Sequence, residues 1–337
     1  MTQAPALQIA DIAPAVLAAL AGYRLTPAQI AALPKPVPNP EQGLITVEPA
    51  GVHANPTAFW WWRAYPFHML SILALLDVPL LNGGEVADWI KRQQHPDGYF
   101  RPDRLGHTVR QATYHACMML RLLDAQADSA GWDRYRLINL LQSQYQPGAR
   151  VPFARLPRDR KDPNSEFEVI LACVASLGAL GDHLAEADAA LRYLATRQEP
   201  AGTFRPRGWA NTPDAPREAA TAAAVRSFLL LGADPPHAAR CAATIQGWQL
   251  VDGGFDAVFA QYPAYPQISH LVATARAVLT LDLLGSAPVD RESCLRRILQ
   301  FWSPSGGFFA DSLPVPAAGP DPGTLRATHH GLLALAA

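Results

Sequence analysis

The chain has 337 residues, 49% of them hydrophobic and 17% charged, with a formal net charge of -1. That composition supports a large buried core in one or two domains, and the balanced charge gives no electrostatic reason to expect nucleic acid or an anionic membrane as a partner. Cys117, Cys173, Cys241 and Cys294 lie far apart with no C-x-x-C pair, which argues against a disulfide framework or a Cys-rich zinc site and for inert thiols inside helices.

In chain order, amphipathic helices are predicted near 9–21, 84–94, 133–146, 184–198, 236–249 and 290–302, with Arg, Asp and Gln gathered on one face. The first has no basic residue ahead of it and is broken by Asp11 and Pro14, so it does not read as a signal peptide. The segment 33–56, with Pro34, Pro36, Pro38 and Pro40, reads as a connection. Ala/Leu-rich helices that are apolar nearly all round alternate with the amphipathic ones. They fall at 112–124, 169–181, 220–232 and 273–285, with a weaker copy at 65–77 and a last one opening at Ala327-Thr328. Their cores align without gaps: Ala220-Thr221-Ala222 matches Ala273-Thr274-Ala275, and Thr113 takes the same place. The strongest apolar run, 69–81, is interrupted by Asp77 and Pro79 and is too short to span a bilayer. A soluble, cytoplasmic protein is the expectation.

Gly turns closed by Phe follow the amphipathic helices. They read Gln94-His95-Pro96-Asp97-Gly98-Tyr99-Phe100, Gln198-Glu199-Pro200-Ala201-Gly202-Thr203-Phe204, Trp248 through Gly253-Gly254-Phe255, and Trp302-Ser303-Pro304-Ser305-Gly306-Gly307-Phe308. A repeat period of about fifty residues indicates a repeat architecture. Six helical hairpins, none able to bury its apolar face alone, can close side by side into a ring. The predicted fold is therefore an all-α (α/α)6 toroid, a single domain over 1–337. Residues 1–54 supply an outer helix and the Pro-rich connection, and 55–337 supply the repeats. Gly allows backbone conformations that a Cβ forbids, and each Phe is expected to fill the seam between hairpins.

The Q-x-x-x-G-x-F turns followed by Ala/Thr-Ala inner helices resemble the prenyltransferase and squalene-cyclase repeat, over about residues 55–337. The superfamily includes protein prenyltransferase β subunits and terpenoid cyclases. The resemblance implies functional positions four, two and one residues before the repeat Thr, where cyclases carry a D-x-D-D acid motif and protein prenyltransferases a zinc-binding Asp and Cys. This chain places there Trp62 and Ala64 with Tyr65, Val109 and Gln111, Glu166 and Glu168, Arg217 and Ala219, His270 and Val272, and Thr324 and Arg326. It has no D-x-D-D and no D-x-C, so neither ordinary proton-initiated cyclisation nor zinc-dependent thiol prenylation is implied. No metal site and no cofactor are expected.

Glu166-Phe167-Glu168 alone carries two acids with the D-x-D spacing. An apolar chamber raises a carboxyl pKa, and a second carboxylate raises it further, so Glu168 and Glu166 are the candidate acids. The same residues also read as a capping box with Ser165, which requires no chemistry. His270 is a third catalytic candidate, and His115, Tyr114, His329 and His330 are further titratable groups beside it. Arg217 and Arg326, with Gln111, can orient a polar head, or the arginines can pair with Glu166, Glu168 and Glu218. The run Phe59-Trp60-Trp61-Trp62 with Tyr65 offers aromatic faces for a chamber or a packed seam. Trp62, Tyr65 and Tyr262 are the expected cavity contacts. The leading expectation is an enzyme that cyclises or isomerises an isoprenoid or polyketide-like molecule with acid assistance. The alternatives are a non-catalytic binding or partner subunit of the prenyltransferase β type, as part of a heteromer or a homodimer, and zinc-independent prenyl transfer.

Overall fold

The computed structural model describes residues 9–22, 44–55, 65–100, 108–125, 132–146, 166–206, 217–255, 270–310 and 322–337. Helices alternate between two layers. The outer set is α1 (Ile9–Gly22), α3 (Gly83–Lys91), α5 (Arg134–Ser143), α7 (Ala187–Ala195), α9 (Ala238–Gln246) and α11 (Arg291–Gln300). The inner set is α2 (Tyr65–Leu75), α4 (Val109–Leu122), α6 (Glu166–Ala179), α8 (Arg217–Leu230), α10 (His270–Leu283) and α12 (Pro322–Ala336). Each inner helix packs on the next, and α12 packs back on α2, so the inner layer closes into a ring. Helices α3, α5, α7, α9 and α11 each pack on the inner helix that follows, while α1 packs on α12 and completes the outer layer. The predicted (α/α)6 toroid is the observed fold.

The sequence periodicity explains the layers. Outer helices bury one stripe, such as Ala190 and Leu194, or Cys241 and Ile245, and leave the rest to solvent. Inner helices are touched on three sides, and α6 buries Phe167, Val169, Ile170 and the run from Ala172 to Leu177.

The repeat Thr and the turn Phe are joined by one hydrogen bond. Thr113, Thr221, Thr274 and Thr328 Oγ1 accept from the backbone N–H of Phe100, Phe204, Phe255 and Phe309, each at 3.1 Å. Thr328 Oγ1 donates in turn to the Thr324 carbonyl at 2.6 Å. A buried hydroxyl thus finds both a donor and an acceptor, and the turn is fixed to its inner helix. The four rings are at most 2% exposed and fill the seams between hairpins.

The turn Gln is a second rivet. Gln249 Nε2 donates to the Gly253 carbonyl at 3.2 Å and the Asp290 carbonyl at 2.8 Å, and its Oε1 accepts from Asp290 N–H at 3.0 Å. Gln94 and Gln198 reach the start of the next outer helix in the same way. Gly253 has φ +87, and a Cβ there would strike the backbone of Ser293 on α11. Each turn therefore presses directly on the next outer helix.

Three features differ from the sequence expectation. The connection contains a hairpin, β1 (Ile45–Glu48) with β2 (Gly51–Ala54), whose Val52 N–H also bonds the Pro79 carbonyl at 2.9 Å. The last turn is a two-residue ribbon, β3 (Trp302–Ser303) with β4 (Phe308–Phe309). There Phe309, rather than Phe308, makes the bond to the repeat Thr. A capping box is formed by Thr108 and Gln111 on α4, whereas Ser165, the expected cap of α6, lies outside the described residues. The four cysteines are buried and unpaired. Burial pushes the thiols of Cys117, Cys173 and Cys241 up to about 12, consistent with inert packing.

Candidate functional site

The inner helices are buried wherever they meet a neighbour, so their half-buried and exposed positions mark the surface lining the interior of the ring. Counted from the repeat Thr, with Ile170 and Pro66 in its place on α6 and α2, these positions form three levels. Two residues before it stand Gln111, Glu168 and Arg326. Two residues after it stand His115, Arg276 and His330, with the nearly buried His68. Five after it stand Met118, Leu279, Leu333 and the exposed Arg226. The spacing is that of one helical face, i, i+4 and i+7. The wall contributed by α6 is apolar beyond Glu168, with the half-buried Leu171 and Gly178.

Of the two candidate acids, Glu166 is tied to the rim: Arg197 Nε lies 3.6 Å from its Oε1, and its side chain is 8% exposed. Glu168 stands on the interior face, half-buried, and its backbone carbonyl accepts from Arg110 Nη1 at 3.2 Å. Gln111 Oε1 accepts from Thr108 N–H at 3.1 Å, which accounts for that side chain as a helix cap. Arg326 is half-buried on the interior face of α12. Tyr65, Arg217 and His270 open α2, α8 and α10. Trp62 and Tyr262 lie outside the described residues.

Where α12 meets α2 and α4, the wall is a cluster of imidazoles and aromatics. His68 Nδ1 lies 3.0 Å from His329 Nδ1, both buried, so one donates and the other accepts and the two rings hold complementary tautomers. Phe67 stacks on His115 with centroids 4.6 Å apart and meets His329 edge-on. Burial, then the charges of neighbouring His329, His115, His330 and Arg326, hold His68 well below the usual imidazole range. Burial is also the largest cause for His329, followed by His330 and Arg226, and brings it down to about 3. His330 is likewise brought to about 3 by burial and by Arg276, Arg326 and Arg226, against the Arg326 carbonyl that favours its charged form. These rings are neutral at pH 7 and do not serve as the proton-supplying acid. No group of three His, Cys, Asp or Glu suited to a metal occurs among the described residues.

Two arginines at the site, Arg226 and Arg276, do not stand out in the sequence, and Glu218, expected to pair with Arg217 or Arg326, lies against Arg276. Glu218 on α8 has a side chain 3% exposed and its Oε1 lies 3.3 Å from Arg276 Nη1 on α10. Its Oε2 has no hydrogen-bond partner among the described residues. Arg226 sits two turns further along α8. Both arginines follow the repeat Thr, whereas the family positions precede it; the helical stripe is the signal that finds them.

A family model described as the prenyltransferase alpha-alpha toroid domain matches residues 43–162, 150–264 and 211–315. Drimenyl diphosphate synthase from Streptomyces showdoensis is 28% identical over 251 residues, covering 70% of this chain and 43% of that protein. The chain thus spans less than half the length of that relative. A variant of the type II terpene cyclase MstE from Scytonema, solved with its product merosterolic acid A, is similar with a TM-score of 0.57 and 16% identity, covering 98% of this chain and 96% of that one. A protein from Actinoplanes is similar with a TM-score of 0.53 and 17% identity, covering 82% of this chain and 89% of that one. At these identities the structural likeness bears on fold alone. No helix among the described residues is long and apolar enough to cross a membrane. With its turns, its closed inner ring and family matches extending from 43 to 315, the chain belongs to the prenyltransferase α/α-toroid domain family.

Proposed function

We propose that the protein is a terpenoid-cyclase-like enzyme that cyclises or isomerises a largely apolar, isoprenoid or polyketide-like molecule inside the ring. The observation that carries this reading is the Glu168 carboxyl, which among the described residues stands on the interior face at the head of an apolar wall. Glu166 pairs with Arg197 and Glu218 with Arg276, and Glu168 differs from them in its place on the interior face. The relative named drimenyl diphosphate synthase supports the same class of chemistry.

In this scheme the Glu168 carboxyl donates its proton to an alkene. The carbocation is attacked by a second alkene, so a carbon–carbon bond forms and the charge moves along the chain. Loss of a proton from carbon ends the reaction, and the product is an isomer of the substrate. Tyr114, half-buried on α4, offers an aromatic ring that stabilises positive charge. His330, neutral and half-buried on the interior face of α12, is placed to accept the departing proton. Replacing Glu168 with Gln keeps shape and removes the acid. Turnover should fall by about 10²–10⁴-fold, with the far-UV circular dichroism of the wild type retained. Unchanged turnover by a folded Glu168→Gln variant ends the assignment.

A further inference from the structure

We propose that Arg226 and Arg276, with His330 beside them, form an anion-binding site inside the ring that holds the acidic head group of the ligand. The proposal rests on the reading of the interior as a ligand chamber.

Arg226 carries the argument. It is the exposed residue in an otherwise buried stretch of α8, from Ala222 to Phe228. Helices α6, α10 and α7 cover the other faces of α8, so Arg226 faces inward. No hydrogen bond or ion pair engages its guanidinium among the described residues. Exposed toward the interior and unpaired there, that guanidinium is open to an anionic ligand.

Other groups converge on the same place. The charges of Arg226, Arg276 and Arg326 all act on His330, although α8 and α12 are not neighbours in the ring. Arg226, Arg276, Arg326 and His330 stand at interior-facing positions of three consecutive helices of the ring, α8, α10 and α12. Arg276 is only partly satisfied by Glu218, with a third of its side chain exposed at 33%. Two guanidiniums against one carboxylate leave net positive charge. Paired arginine forks match the planar oxygens of a carboxylate or a phosphate. Arg226 lies five residues after Thr221, and Glu168 lies two before Ile170. About 10 Å of helix rise separates the two levels. A head group at Arg226 directs its hydrocarbon tail back toward Glu168, so the end remote from the charge reaches the acid.

The test is isothermal titration calorimetry of the full chain with three C15 isoprenoids: the prenyl diphosphate, the prenyl carboxylic acid and the neutral prenyl alcohol. The two anions should bind at least tenfold tighter than the alcohol, and the tighter anion identifies the head group. Arg226→Gln should abolish that advantage, Arg226→Lys should keep part of it, and alcohol binding should be the same in both variants and the wild type. Equal binding of anions and alcohol by the wild type, or an advantage that survives Arg226→Gln, overturns the anion site while the apolar chamber stands. Failure of all three to bind overturns the chamber and the anion site together.

Discussion

Acidification from pH 7 to pH 5 should loosen the ring through its imidazole cluster. His329 and His330 titrate at about 3 in the folded chain and near 6.5 once unfolded. Between those values the unfolded chain binds more protons, so stability is full above pH 6.5 and is lost as pH falls. At pH 5, about 1.5 units below the unfolded value, each imidazole costs about 2 kcal/mol, and the pair about 4. His68 acts in the same direction. The groups facing the cluster, Arg226, Arg276, Arg326 and His115, are cationic or neutral, so none offsets the cost. Against a total stability of about 5–15 kcal/mol for a domain, the loss is readily measured. Urea unfolding at both pH values, on the wild type and on a His329→Asn/His330→Asn variant, isolates the effect from other titrating groups. The wild type should lose about 4 kcal/mol more than the variant between the two conditions. Equal losses would show that these imidazoles are not held neutral by burial.

Two further predictions concern the repeat. Thr221→Val keeps shape but leaves the buried Phe204 N–H without its acceptor, and should cost about 1–3 kcal/mol in urea unfolding, while Thr221→Ser should cost less. Phe204→Ala empties a fully buried seam between hairpins and should cost about 3–5 kcal/mol by the same measurement.

The ring was legible in the sequence because its parts are local. Each Gln-to-Phe turn makes its contacts through groups a few residues apart or one repeat away, and the same few residue types do so every time. The hairpin at β1 and β2 was hidden because four-residue strands beside a Pro-rich stretch give almost no periodic signal. The last turn was read one residue short because Phe308 and Phe309 are adjacent, and only the bond to Thr328 separates them. The candidate site was legible only in part. Glu166 and Glu168 stood out by spacing, but the pairing of Glu166 with Arg197 joins different repeats. Glu218 and Arg276 are 58 residues apart. Such pairings follow from how neighbouring hairpins are set against each other, which the repeat alone does not specify. Arg226 and Arg276 were visible as residues, and closure of the ring gave them an inside to face.

The central claim is that a carboxyl inside this ring starts a reaction by giving up a proton. The direct measurement is mass spectrometry of product formed from an isoprenoid substrate in deuterium oxide. A carboxyl exchanges with solvent, so the account predicts an isomer of the substrate carrying one deuterium on carbon, and none of this product from Glu168→Gln. Product formed without deuterium, or released diphosphate in place of an isomer, would contradict it.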